Sequence, residues 1–299
     1  MSEKEYLYSE VFDSIQGEGT YTGVHTLWLR FFLCNLQCNG FGQLFPTKPE
    51  TYELPFESFD ATTVNRVEDL PVWDKGCDSS YTWSKKFKHL MGKKTPKELC
   101  EVIKECASNE TNPEGTFLHP ISKMKSHMCF TGGEPLMAHA QMASVQMLRH
   151  FYNDNNIPGS VTYETNGTQK LRDDFIEFWK HEAQNELFMS LSPKLWSVAG
   201  EKREKAIKPE LVSVYRELTD RGHLKFVMGS DNEQWDEMEE VLESFRAEGV
   251  DYPVYIMPVG AREEEQVDTA GKVAELAFKR GYHVSARVHV YLFGNAIGT

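Results

Sequence analysis

The strongest constraint on the fold is an alternation of short apolar segments with longer amphipathic ones. Apolar segments of strand length occur at 128–131, 161–163, 187–191, 224–228 and 254–257. Each is followed by glycine or polar residues. Stretches with helical periodicity follow in turn, at 142–152, 173–181, 234–247 and 267–280. This alternation predicts an α/β fold with a parallel sheet, and the polar residues after the strands predict a site at the carboxyl ends of the strands.

The first third of the chain adds two strands, an insertion and a helix. Segments 6–12 and 26–33 have the patterns of strands, and the second leads directly into Cys34. Residues 40–75 contain four prolines and no sustained period, which predicts an irregular insertion within one domain spanning residues 1–299. Residues 96–107 have helical spacing, with Thr95 as the N-cap.

Composition and charge limit which binding partners and which cell compartment we expect. The formal net charge of −13 at pH 7 disfavours nucleic acid and anionic membranes, since both would be repelled, and favours a small-molecule substrate. No apolar run approaches the roughly 18 residues of a membrane helix, and the first five residues lack the pattern of a secretory signal. We therefore expect a cytoplasmic protein, in which the six cysteines are thiols or metal ligands rather than disulfides.

Three of the cysteines are candidate metal ligands. Cys34 and Cys38 lie four residues apart on one predicted loop, and Cys77 follows the insertion. Three cysteine ligands on a four-iron cluster leave one iron open, and that iron can bind the amino and carboxylate groups of S-adenosylmethionine. A zinc site is the alternative, and the cysteines alone do not decide between the two. Cys100, Cys106 and Cys129 are predicted to be packing residues of a helix and a buried strand.

A glycine motif follows the strand at 128–131, with the sequence Thr131-Gly132-Gly133-Glu134-Pro135. The two glycines allow the backbone to approach a ligand closely, and Glu134 can accept a hydrogen bond from an ammonium group. An ordinary glycine turn is the alternative for this motif on its own.

Together these motifs resemble the radical S-adenosylmethionine superfamily, whose fold is a partial (β/α) barrel of the TIM type. Other segments, in an unchanged order along the chain, are similar to those of the 7-carboxy-7-deazaguanine synthases: Ser14-Ile15-Gln16-Gly17-Glu18-Gly19, Leu29-Arg30-Phe31, Cys77-Asp78-Ser79, Glu164-Thr165-Asn166-Gly167, Ser192-Pro193-Lys194 and Lys225-Phe226-Val227.

The resemblance implies roles for individual residues. A pterin substrate would contact Ile15, Gln16, Gly17, Glu18, Arg30, Thr131 and the C-terminal Thr299, which with His289 resembles the terminal segment of the family. S-adenosylmethionine would be lined by Gly132, Gly133, Glu134, Ser192, Pro193, Lys194, Met257, Pro258, Val259 and Gly260. The [4Fe-4S] cluster would be bound by Cys34, Cys38 and Cys77, and Mg²⁺ by Ser79, where the family usually has threonine. Arg30 has a separate rationale, because a guanidinium fork suits a substrate carboxylate.

The implied activity is the conversion of 6-carboxy-5,6,7,8-tetrahydropterin into 7-carboxy-7-deazaguanine with release of ammonia, a step of queuosine-type biosynthesis. A deoxyadenosyl radical would abstract a hydrogen from the pterin before the ring contracts. An electron donor such as flavodoxin and a homodimer are also implied. Two other hypotheses are a glycyl-radical-type activase acting on a protein, and a non-catalytic metal-binding interaction protein.

One departure from the family pattern concerns the third cysteine. The family has two residues between its second and third cysteines, whereas 38 residues separate Cys38 from Cys77 here. An insertion of this length is compatible with one cluster if its ends meet, because the entropy cost of closing a loop grows only logarithmically with its length. The insertion is expected to form either a partner surface or a lid.

Overall fold

One sheet organises the protein, whose computed structural model describes residues 3–183, 185–294 and 296–298. Within these residues the sheet has nine strands: β1 (Tyr6–Ile15), β2 (His25–Phe31), β3 (Gly92–Lys94), β4 (His127–Gly132), β5 (Val161–Thr165), β6 (Leu187–Leu191), β7 (Gly222–Met228), β8 (Val254–Pro258) and β9 (His283–Val284). Their order is β3-β1-β2-β4-β5-β6-β7-β8-β9. The pairs β3-β1 and β1-β2 are antiparallel, and every later pair is parallel.

Most of the helices connect the parallel strands, whereas the first lies in the insertion and the last follows the final strand. They are α1 (Pro55–Ser58), α2 (Pro96–Ala107), α3 (Ala138–Asn153), α4 (Asp173–Glu177), α5 (Trp196–Ala199), α6 (Arg203–Ala206), α7 (Pro209–Leu218), α8 (Asn232–Ala247), α9 (Glu263–Lys279) and α10 (Val288–Phe293). A π-helical turn, Phe178–Glu182, extends α4. None of the helices in these ranges combines the length and apolarity that crossing a lipid bilayer requires.

Local sequence explains where these elements form. All five residues of β6 are buried, which is why its sequence is a continuous apolar run with one serine rather than an alternation. Helix α2 begins at a capping box: the Thr95 hydroxyl accepts from the Glu98 amide, and the Glu98 carboxylate accepts from the Thr95 amide. Pro96 occupies the first helical position, where its missing N–H costs nothing.

The insertion packs around a small second apolar core. Phe56, Val67, Leu70 and Trp73 are buried there together with Phe87 from the segment after the insertion, in a cluster separate from the main core between the sheet and its helices. Short 3-10 turns and α1 supply its secondary structure. The insertion has little regular secondary structure, but it packs around a core of its own side chains and Phe87.

The predicted partial-barrel α/β fold is confirmed. The main differences lie at the ends of elements and in short elements. Strand β1 continues three residues beyond the predicted end at 12, and α4 ends at Glu177, where the π-helical turn begins. Sequence patterns did not identify α7, because it follows two other short helices without a strand between them.

Candidate active site

A cavity of about 590 Å³ lies at the carboxyl ends of the parallel strands. Residues that follow β2, β4, β5, β6 and β8 line it, together with the loop after β1 and residues from both ends of the insertion. Because parallel strands end at the same edge of a sheet, loops that are far apart in the sequence meet at this cavity. The site lies where the alternation of strands and helices predicts it.

The three predicted cluster cysteines all line this cavity. The two ends of the insertion meet, because the Gly76 amide donates to the Phe41 carbonyl over 2.8 Å. Cys77 therefore returns to the loop that carries Cys38, despite the 38 residues between them. Of the other cysteines, Cys100 and Cys129 are buried and Cys106 is half-buried, on α2 and β4 as predicted.

The cysteine cluster is electrostatically suited to a cationic group. Burial raises the pKa of Cys34 to about 12 and also raises the pKa values of Cys38 and Cys77, so the protein alone keeps these thiols protonated. A bound metal ion or cluster would supply the positive charge that makes thiolates stable in such surroundings. Among the described residues, no three His, Cys, Asp or Glu side chains converge on one metal ion. The ligands of a four-iron cluster need no such convergence, since each binds a different iron.

The Gly-Gly-Glu-Pro segment packs directly on the first cysteine loop. A methyl group on Gly133 would overlap the carbonyl oxygen of Leu33 and approach the Cβ of Cys34, so only glycine permits this contact. Glu134 lies beneath the loop and is not among the cavity-lining residues. Its carboxylate accepts from the amides of Leu136 and Asn166 and from the Thr165 hydroxyl, and burial raises its pKa to about 7.

Arg30 faces the cavity from β2, and the carboxylate of Glu10 on β1 holds its guanidinium in place. Its Nε donates to Glu10 over 2.6 Å, and the Tyr81 hydroxyl donates to the same carboxylate oxygen over 2.7 Å. Burial opposes the guanidinium charge, but Tyr81 and Glu10 more than offset it, and the pKa of Arg30 is raised. The arginine is thus a fixed cation, with further N–H donors beyond the one that Glu10 takes.

A second charged group lines the same cavity. Glu18 forms ion pairs with Lys225 and with the Nε of Arg287, the latter over 3.2 Å. Burial raises the pKa of Glu18, but Lys225 and Arg287 lower it by more, so the carboxylate stays charged. Arg287 also contacts Asp78, next to Cys77, over 3.3 Å. It therefore joins the loop after β1 to the loop that carries the third cysteine.

Glu164 holds two further polar side chains of the cavity wall. Its carboxylate accepts from the side-chain amide of Gln16 over 3.4 Å and from the Thr131 hydroxyl over 3.2 Å. His289 lies against Gly17, and burial lowers the pKa of its imidazole to about 4, which leaves it neutral at pH 7. These groups present donors and acceptors to the same space as Arg30.

Most of the predicted site residues are brought together here. Those that line the cavity are Ile15, Gln16, Gly17, Glu18, Arg30, Cys34, Cys38, Cys77, Ser79, Thr131, Gly132, Gly133, Ser192, Lys194, Met257, Pro258, Val259 and Gly260. Pro193, like Glu134, is not among them. Thr299 lies outside the described residues.

Sequence reasoning gave no role to Glu164, Lys225 or Arg287, although all three line the cavity. Glu164 and Lys225 carried a usable signal, because each is a charged side chain within a short predicted strand of a largely buried sheet and must therefore find a partner. Arg287 carried no comparable signal, since it follows the short strand β9 in a polar segment.

The chain is similar to several proteins named 7-carboxy-7-deazaguanine synthase. It is 27% identical to the one from Rhodopirellula baltica, in an alignment that covers 100% of this chain and 90% of the relative. It is also 27% identical to the one from Hyperthermus butylicus, in an alignment that covers 94% of this chain and 90% of the relative. A scan against models of protein families finds no match.

A solved structure agrees with the sequence relatives on the fold. The crystal structure of QueE from Escherichia coli superposes with a TM-score of 0.52 at 18% identity, and the match covers 95% of both chains. The relatives, the partial-barrel fold and the three cysteines in one cavity lead to the same conclusion. The chain is similar over its whole length to enzymes named 7-carboxy-7-deazaguanine synthase, and it shares the fold of QueE.

Proposed function

We propose that this enzyme converts 6-carboxy-5,6,7,8-tetrahydropterin into 7-carboxy-7-deazaguanine and ammonia. The proposal rests on the named relatives and on the polar groups of the cavity. Substrate and products balance without an added oxidant or reductant. The protein therefore has to position one small molecule and one radical source.

The cavity offers partners for each polar part of such a pterin. Arg30 would be a fixed cation for the 6-carboxylate, and Glu18 and Glu164, which line the same cavity, would be acceptors for ring N–H and amino groups. The Thr131 hydroxyl and the side-chain amide of Gln16 hold Glu164 in position. Because these groups are anchored by one another, the substrate would be oriented without a large rearrangement.

The cofactors would lie on the other side of the cavity. Cys34, Cys38 and Cys77 would bind the [4Fe-4S] cluster, and Gly132, Gly133, Ser192, Lys194 and the 257–260 loop would line S-adenosylmethionine. When bound, the two together supply a 5′-deoxyadenosyl radical that abstracts a hydrogen from the substrate. Ser79 would offer Mg²⁺ an oxygen, since its Oγ lies 3.6 Å from the Cys77 sulfur at the edge of the same cavity.

The observation that carries the proposal is the return of Cys77 to the cavity across the insertion. It is tested by anaerobic reconstitution with iron and sulfide, followed by absorption and spin-resonance spectra with and without S-adenosylmethionine. Cys77→Ala should fail to assemble the four-iron cluster. Cys106→Ala is the matched control, because this half-buried thiol on α2 should be irrelevant to assembly.

Turnover is then measured with labelled pterin. We expect hydrogen transfer from the substrate into 5′-deoxyadenosine and formation of 7-carboxy-7-deazaguanine. A cluster without hydrogen transfer would overturn the proposed substrate but not the radical chemistry. Zinc bound in place of iron and sulfide would overturn both. An electron donor such as flavodoxin and a homodimer belong to the same proposal.

A further inference from the structure

A buried carboxylate outside the substrate side of the cavity holds the cysteine loop. Glu201 has only 7% of its side chain exposed, and one of its oxygens accepts from two consecutive amides of that loop. The distances are 2.6 Å from the Gln37 nitrogen and 2.8 Å from the Cys38 nitrogen. The other oxygen pairs with Lys205 over 3.2 Å.

The two segments are joined at a third point. The Gly40 amide donates to the Ala199 carbonyl over 3.0 Å, two residues before Glu201. Cys38, which makes one of these contacts, has a φ of 53°, in the left-handed region that residues other than glycine rarely adopt. An unfavourable backbone conformation at a predicted cluster ligand is therefore held by contacts to the 199–201 segment.

Glu201 also affects the charge and the hydrogen bonding around that ligand. Backbone amides that donate to a cluster or its thiolates raise the reduction potential, whereas nearby negative charge lowers it. Glu201 takes up the amides of Gln37 and Cys38 and puts a carboxylate beside them. Its cationic partner Lys205 is about half exposed, so water screens the compensating charge.

We propose that Glu201 is a positioning residue that holds the Cys38 loop in its ligating conformation and keeps the reduction potential of the cluster low. The inference rests on the cluster of the proposed function but not on the pterin. A low potential matters for this chemistry, because the reduced cluster has to deliver an electron to a sulfonium.

Two variants separate charge from positioning. Glu201→Gln keeps an oxygen that can accept from both amides but removes the charge, whereas Glu201→Ala removes both. The matched control is Glu237→Gln. Glu237 accepts from the amides of Trp196 and Ser197, each over 2.8 Å, and so makes the same kind of contact to the start of α5 rather than to the amides of the cysteine loop.

The first measurement is a redox titration of the reconstituted proteins, monitored by spin resonance. Glu201→Gln should bind wild-type amounts of iron and sulfide. At a fixed solution potential its ratio of reduced to oxidised cluster should rise about tenfold, which is ~59 mV for a one-electron couple. Glu237→Gln should titrate like the wild type. A Glu201→Gln midpoint that matches the wild type would overturn the electrostatic role.

The second measurement needs neither cluster nor substrate, so it can be read even if the proposed function fails. Amide hydrogen exchange of the cysteine loop is followed in metal-free protein. Glu201→Ala should speed exchange at Gln37 and Cys38 at least tenfold, whereas Glu237→Gln should leave those amides unchanged. Equal exchange in wild type and Glu201→Ala would overturn the positioning role.

Discussion

Replacing Glu18 by glutamine should destabilise the protein more than any surface charge substitution. Glu18 is the anion between the buried Lys225 and the largely enclosed Arg287, and its own side chain is only 13% exposed. Removing one partner of a buried ion pair costs about 3–5 kcal/mol, because the remaining charge loses its compensation in a medium where water cannot replace it.

The structure favours the lower end of that range. After the substitution Arg287 retains Asp78 at 3.3 Å, and Lys225 remains close enough to Glu164 for that carboxylate to raise its pKa. Each cation would thus keep one anion nearby. We expect Glu18→Gln to lower the free energy of unfolding by about 3 kcal/mol.

Urea denaturation of the metal-free protein measures this loss. Glu182→Gln is the control, since Glu182 pairs with the Nε of Arg149 over 2.8 Å while 43% of its side chain is exposed. Its substitution changes the net charge of the chain equally and should cost under about 1 kcal/mol. If the two variants lose the same stability, the argument that the Glu18 pair is shielded from water is wrong.

Three other perturbations test separate parts of the structure. Burial lowers the pKa of His223 to about 3, so between pH 6.5 and 3 the unfolded chain binds a proton there that the folded one does not; this group alone should add about 1.4 kcal/mol per pH unit to the loss of stability as the pH drops, and His223→Gln should reduce the measured slope by that amount in urea titrations. Gly133→Ala should displace the Leu33 carbonyl and reduce the iron bound on reconstitution at least twofold. Trp73→Ala should cost the insertion core about 3–5 kcal/mol and speed amide exchange within 40–75 while the sheet stays protected, because the two cores are separate.

The parts of the fold that could be predicted from the sequence are those specified by local patterns. Helix α2 begins where Thr95 and Pro96 predict it, because capping depends on a few adjacent residues. The apolar runs of β6 and β7 identify strands because both are almost completely buried. The order of strands and polar loops then fixes the edge of the sheet at which the site forms.

The partners of the buried charges could not be predicted, because they depend on contacts between distant segments. Arg287 contacts Glu18 across 269 positions of sequence and Asp78 across 209. Glu201 lies 163 positions from Cys38. The core of the insertion could not be predicted for a different reason. Its turns are too short for helical or strand periodicity to develop, and its aromatic content was the only sequence sign of a packed core.

The closed insertion also affects the order in which the enzyme can mature. With two residues between the second and third cysteines, most of a metal-binding loop can form within a short peptide. With 38 residues, bringing the third thiol back costs about 2–3 kcal/mol more in chain entropy. The contact between Gly76 and Phe41 and the aromatic cluster around Trp73 offset that cost only after they have folded. Iron should therefore be acquired late, by a chain whose insertion is already packed, and nascent or partly unfolded protein should be a poor acceptor of the cluster.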